Sequence, residues 1–185
     1  MSVVVRPLAL SDLADLLAVQ LACYGEGFVE SGEVFARRLA SPANCSLVLV
    51  QGGAVCAYLA AYRSVRGKVT PLHGDFEAAA EPDTLYLHDM AVSPACAGQG
   101  LARTLLQPLW AQAAAEGLRH TALVSVQGTQ PYWQRHGYAL QVLHDAEQRA
   151  RVASYGDGAV YMARALWESG WPAGCDKQRV AMTRQ

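Results

Sequence analysis

No stretch restricts the possible folds more than residues 85–103, Leu-Tyr-Leu-His-Asp-Met-Ala-Val-Ser-Pro-Ala-Cys-Ala-Gly-Gln-Gly-Leu-Ala-Arg. Residues 85–92 are a short, mostly apolar run between Pro82-Asp83 and Ser93-Pro94, which reads as a strand buried on both faces. A long helical pattern opens at Gly100, and the glycines there let the main chain turn and approach a ligand with no Cβ in the way. A strand, a glycine turn and a helix N-terminus together aim unpaired N–H groups and the positive end of a helix dipole at one small volume. That volume suits a phosphate or pyrophosphate. Two common glycine loops do not fit. The third glycine of Gly-x-Gly-x-x-Gly would fall on Arg103, and the Gly-Lys-Ser/Thr of a P-loop is absent.

A second motif follows downstream, Pro131-Tyr132-Trp133-Gln134-Arg135-His136-Gly137-Tyr138. Taken in this order, the two motifs resemble those of the GNAT N-acetyltransferase family. Its acyl-CoA motif is written Arg/Gln-x-x-Gly-x-Gly/Ala, and its last motif opens aromatic-aromatic-x-x-x-Gly-aromatic. Gly100 and Ala102 take the last two fixed positions of the first motif, while its Arg or Gln falls on Ala97. The resemblance implies an α/β fold: a mixed, twisted central sheet, splayed beside the glycine turn and flanked by helices. It also implies acetyl-CoA as the acyl-donor cosubstrate, with no metal. Ala97, Gly98, Gln99, Gly100, Leu101, Ala102 and Arg103 would then cradle the pyrophosphate. Met90, Ala91 and Val92 would offer main-chain groups to the pantetheine arm and acyl carbonyl.

Composition narrows the partners. The 185-residue chain is 52% hydrophobic and 17% charged with a net charge of −1, as expected of a folded globular domain rather than a nucleic-acid binder. No run reaches the roughly 18 apolar residues of a membrane helix, and the N-terminal residues lack a signal-peptide pattern. Cysteines 23, 45, 56, 96 and 175 are odd in number and show no Cys-x-x-Cys spacing, which argues against a disulfide framework or a zinc site and for a cytoplasmic setting. No nucleic acid and no membrane partner is expected; a homodimer stays open.

Along the chain, residues 3–6 read as a strand and residues 11–25 as a helix with Leu13, Leu16, Leu17 and Leu21 on its apolar face. A glycine-bearing loop, residues 23–32, leads to a helix over 33–39. Strands at 46–51 and 55–62 are joined by Gly52-Gly53, a hairpin signal. Residues 63–84 read as a long loop with an acidic section around Asp75 and Glu77. After the central strand come a helix over 100–116, a strand over 121–126, a short helix to Arg135 and a final strand pair, 138–143 and 160–163, around a polar loop. One domain, residues 1–165, is expected, with a tail at 166–185 whose Trp167 and Trp171 call for a partner surface.

His88 is the candidate catalytic residue. Strand alternation places Tyr86, His88 and Met90 on one face and Leu87, Asp89 and Ala91 on the other. A histidine four residues before Val92 resembles the arylalkylamine N-acetyltransferase branch, although the upstream histidine of that branch is Tyr86 here. A primary amine with a pKa near 10.4 is neutral in only about one molecule in a thousand at pH 7, and only the neutral form attacks a thioester. An imidazole titrates in the right range to remove that proton.

In many members of the family a tyrosine protonates the departing thiolate from the position of Trp133, and an indole N–H cannot replace it. Tyr132 reads as core. Tyr24, Glu26, Phe28 and Tyr86 are the candidates for the acceptor pocket, and Asp89, Glu26, Glu30, Asp75 and Glu77 could each attract a cationic amine. The expected activity is acetyl transfer to the primary amine of a small molecule in a ternary complex. The alternatives are acetylation of a protein N-terminus or lysine, and a non-catalytic acyl-CoA-binding module.

Overall fold

The computed structural model describes residues 2–126 and 128–166. Seven strands form one sheet in the order β1-β2-β3-β4-β5-β7-β6. They are β1 (Val3–Pro7), β2 (Leu47–Gln51), β3 (Ala54–Ser64), β4 (Thr84–Val92), β5 (His120–Ser125), β6 (Ala139–Leu140) and β7 (Val160–Ala165). Among the described residues only the β4–β5 pair is parallel. Among the described residues five α-helices accompany the sheet: α1 (Leu13–Tyr24), α2 (Gly32–Ala40), α3 (Leu101–Ala115), α4 (Gln130–Arg135) and α5 (Ala146–Ala153).

Local chemistry explains most of the boundaries. Gly52 and Gly53 have φ of 60° and 86°, the double positive φ of a tight hairpin, and so join β2 to β3. The Ser31 hydroxyl accepts the Val34 N–H and starts α2. Gly117, at φ 87°, ends α3.

The sheet is covered on both faces, as the apolar run of β4 requires. On one face Leu105, Leu106, Leu109 and Trp110 of α3 pack on Leu49, Leu59, Leu85 and Leu87. On the other, Leu16 and Val19 of α1 and Phe35 of α2 pack with Val48, Tyr58, Tyr62 and Tyr86.

Three expectations are corrected. Leu21 points outward at 54% exposure, because the buried stripe of α1 runs through Leu16, Val19 and Gln20. The strand expected at 138–143 shrinks to the two residues of β6, and the polar loop after it contains α5. That helix has no buried residue to give it an apolar period; its signal is the Asp145 carboxylate, which accepts the Gln148 N–H at 2.9 Å. The tail with Trp167 and Trp171 lies outside the described residues.

What positions the site is where β4 and β5 part. They pair from Thr84–His120 to Leu87–Leu123 and no further, while β4 stays on β3 to Val92 and β5 stays on β7 to Ser125. A wedge opens between them beyond Leu87.

Candidate active site

At the mouth of the wedge β4 carries a bulge. Ala60 of β3 faces Asp89 and Ala61 faces Leu87, so His88 is an extra residue in the ladder. One extra residue reverses the phase of every side chain after it. The expected alternation is therefore overturned. Leu87 and Met90 pack toward α3, while Tyr86, His88, Asp89 and Ala91 turn toward α1 and α2.

Main-chain groups follow the same logic. The carbonyls of Met90 and Val92 accept from Tyr24 Oη at 2.5 Å and Cys23 Sγ at 3.1 Å, both on α1, rather than from β3. A strand residue sends its N–H and C=O to the same side. The Met90 and Val92 N–H groups thus face the open wedge, whereas Ala91 sits between them facing Tyr58 of β3 with its side chain in the core. Of the three residues expected to meet the pantetheine arm, Met90 and Val92 have the right orientation and Ala91 does not.

A cavity of about 270 Å³ fills the wedge, walled by Leu87, Met90, Leu123, Val124, Trp133 and Phe28, among others. Its polar part gathers Glu30, His88, Asp89, Tyr24 and Tyr155. Glu30 is 1% exposed and saturated with donors. Arg38 Nη1 and Nη2 each bond one of its oxygens at 2.6 Å, the His73 N–H donates at 2.7 Å, and His88 Nε2 lies 3.0 Å away. Burial alone would push the Glu30 carboxyl up; the bonds from Arg38 and His88 reverse this and hold it well below the ordinary carboxylate range.

An ionised Glu30 fixes the His88 tautomer with its hydrogen on Nε2. Nδ1 then keeps a lone pair. It lies 3.3 Å from the Tyr155 hydroxyl, whose own hydrogen goes to the Thr70 carbonyl at 2.6 Å. A proton taken up by Nδ1 therefore meets the Tyr155 oxygen on one side, with Glu30 to balance the charge on the other.

After β4 the chain turns through residues 93–100 into the N-terminus of α3, a stretch outside the lining of the cavity. Gly100 is the helix N-cap at φ 73°, no side chain caps the free N–H groups of that end, and no acidic residue stands in the first turn. Helix N–H groups left without partners there favour an anion. Gly98, at φ 78°, precedes it, and Gln99 is held by Gln51 at 3.3 Å. Leu101 buries its side chain in the core and Ala97 spends its N–H on the Pro94 carbonyl, so Ala97 adds little to the cradle. Farther along, burial together with Arg164, Arg103 and Arg135 pushes the His136 imidazole down.

A Cβ at Gly100 meets no protein atom within 4 Å. Gly100→Val should weaken acetyl-CoA binding at least tenfold, about 1.4 kcal/mol. Gly117→Ala is the control, since Gly117 is also left-handed with open space around it but closes the far end of α3. Calorimetry giving both variants the same affinity loss would remove the cradle assignment.

Of the residues expected to form the acceptor pocket, Tyr24 and Phe28 line the cavity. Glu26 is exposed on a 3₁₀ turn outside it, and Tyr86 is 1% exposed in the core, 5.5 Å from the Tyr62 ring. Tyr132, expected in the core, is half-buried and lines the cavity beside Trp133. Asp75 and Glu77 are engaged with Arg37 and Lys68 rather than with the site.

The cysteine expectation is also corrected. Cys56 and Cys96 form a disulfide between β3 and the turn before the cradle. Sequence spacing hides this pair, because the β3–β4 register brings Ser93 beside Cys56, and one 3₁₀ turn then carries Cys96 back to it. Arg38, Asp89, Tyr58 and Tyr155 are parts of the constellation that no motif marks.

Solved structures share this architecture. The ribosomal-protein-S18-alanine N-acetyltransferase from Escherichia coli superposes with a TM-score of 0.65 at 18% identity, over 91% of this chain and 97% of that one. The loading GNATL domain of CurA from Lyngbya majuscula gives 0.70 at 16% identity, over 90% and 98%. A GNAT family acetyltransferase from Brucella melitensis in complex with acetyl-CoA gives 0.60 at 21% identity, over 92% of each chain. No curated protein matches the sequence significantly. The family model of the acetyltransferase (GNAT) family matches residues 13–138, which span the wedge, the cradle and the aromatic motif, and the chain belongs to that family.

Proposed function

We propose that the protein transfers the acetyl group of acetyl-CoA to the primary amine of a small molecule, by direct attack in a ternary complex. The observation that carries this reading is the wedge itself. It holds an apolar cavity with a carboxylate-anchored histidine in its wall, and its strand β4 leads on through the glycine turn to an uncapped helix N-terminus. The acetyl-CoA bound to the Brucella melitensis protein of the same fold supports the donor. The cavity's volume, about 270 Å³, supports a small acceptor.

In this reading the amine nitrogen attacks the thioester carbon, the C–N bond forms, and the C–S bond breaks with its electron pair leaving on sulfur. The Met90 N–H faces the charge that grows on the acyl oxygen. The amine proton reaches His88 Nδ1 by way of the Tyr155 hydroxyl or a water, since the imidazole is 1% exposed and Nδ1 faces Tyr155 Oη at 3.3 Å, and Glu30 stabilises the imidazolium. Trp133 supplies no acid. A thiol of pKa about 8.5 leaves without much help.

Thiol release from acetyl-CoA, followed across a panel of small primary amines and N-terminal or lysine peptides, tests the proposal. Turnover with small amines and none with peptides is expected. Peptide turnover alone would move the acceptor to proteins, and binding without turnover of any amine would make the chain an acyl-CoA-binding module.

A further inference from the structure

Five oxygens crowd one end of the bulge in an arrangement that counts protons. The Tyr24 hydroxyl lies 2.8 Å from Asp89 Oδ1 and 2.5 Å from the Met90 carbonyl, and Tyr58 Oη lies 2.5 Å from Asp89 Oδ2. A phenol has one hydrogen to give. If Asp89 were ionised, the Tyr24 hydrogen would be split between two acceptors, leaving one short oxygen–oxygen contact poorly bonded in a buried site. A carboxylic acid at Asp89 removes the conflict. Its hydrogen goes to Tyr24, the Tyr24 hydrogen goes to the Met90 carbonyl, and Tyr58 donates to the other carboxyl oxygen.

We propose that Asp89 is held as a neutral acid and, through Tyr24, keeps the Met90 carbonyl away from β3. Because an extended residue sends its N–H and C=O to the same side, this keeps the Met90 N–H, part of the preceding peptide, directed into the wedge. Asp89 is thus a positioning residue and not a second base or an anchor for a cationic amine. Its catalytic consequence rests on the acetyl-transfer reading; its protonation state does not.

The surroundings favour the neutral form. Tyr24 and Cys23 of α1, Tyr58 of β3, Glu30 from the α1–α2 connection, His88 on β4 and Tyr155 after α5 are the titratable groups facing it. Among the described residues no cation lies within ion-pair distance of Asp89, while Glu30 is already ionised against Arg38. Burial pushes the Asp89 carboxyl up, against the opposing pull of the Tyr58 bond. Glu30 and Asp89 thereby divide the roles, one charged and one neutral, within a single wall.

Infrared spectroscopy of the intact protein at neutral pH, with ¹³C-labelled aspartate, reads the protonation directly. A carboxylic-acid C=O band should be present in the wild type and absent from Asp89→Asn. For turnover, Asp89→Ala should lose roughly tenfold or more, short of the 10²–10³ that follows outright removal of an oxyanion donor. Asp89→Asn should restore the rate to within about threefold, since its amide can donate to Tyr24 and accept from Tyr58 as the acid does. Its pH–rate profile should overlay that of the wild type.

The proposal is overturned if the band is not lost in Asp89→Asn, or if that variant falls as far as Asp89→Ala. If Asp89→Ala does not fold, the band and the Asp89→Asn profile decide alone. A wild type that turns over no amine but keeps the band would sink the acetyl-transfer reading and leave the neutral acid standing.

Discussion

Replacing His88 with alanine should lower turnover by roughly 10² to 10⁴, the usual worth of a general base, while acetyl-CoA affinity stays nearly unchanged. The geometry supports a loss of that size, because Glu30 holds the Nε2 hydrogen and leaves Nδ1 as the atom that takes a proton. Wild-type turnover should rise from acid toward neutral pH, since a protonated imidazole cannot accept the amine proton. The mutant should lose that limb and recover partly at high pH, where more of the amine is already neutral. His88→Gln serves as the folded control: its amide can still donate to Glu30, yet it cannot take up a proton near neutrality. A His88→Gln protein with near-normal turnover at pH 7 and an unaltered acid limb would leave the imidazole as a structural link between Glu30 and Tyr155.

How much of this was legible beforehand depends on how local the cause was. The glycine turn into α3 was readable, because Gly98 and Gly100 reach positive φ and Gly100 opens the helix within the same few residues. So was the β2–β3 hairpin, fixed by two adjacent glycines. The bulge was not, since nothing at Leu87-His88-Asp89 announces an extra residue; it exists only in the register against β3. That one omission put Asp89 on the wrong face and hid its bonds to Tyr24 and Tyr58.

Charged residues failed in a related way. Glu30, Glu26, Asp75 and Glu77 look alike in a sequence. The fold buries the first on Arg38, leaves the second outside the cavity and pairs the other two with surface cations. Tyr155 was invisible for a third reason: it follows a helix with no apolar face and reaches Thr70 and His88 across more than 60 residues of chain.

Glu30 should matter to stability more than any other single side chain of the site. Glu30→Ala leaves the Arg38 guanidinium, whose side chain is 1% exposed, without its bidentate partner, and uncompensated charges of this kind cost about 3–5 kcal/mol. For a domain of this size that is a fall in Tm of roughly 10 °C. The loss spreads because Glu30 also takes the N–H of His73, the one described non-glycine residue with positive φ, while Arg38 Nε holds the Gly74 carbonyl. Loop 71–74 is thus tied down by the same pair.

The pH sign follows from the depressed carboxyl. A carboxyl whose pKa is lower folded than unfolded adds stability above the unfolded value, about 4.3, and gives it up as the pH falls toward the folded value. The wild type's advantage over Glu30→Gln should therefore hold near neutrality and shrink below about pH 4. A double variant, Glu30→Leu with Arg38→Met, separates folding from chemistry: apolar replacement of a buried ion pair is often neutral for stability, so much of the Tm should return. Turnover should stay low, because His88 has lost the carboxylate that fixes its tautomer. Thermal melts and thiol-release rates on the same preparations check both halves, and recovery of the two together would mean that Glu30 serves only the fold.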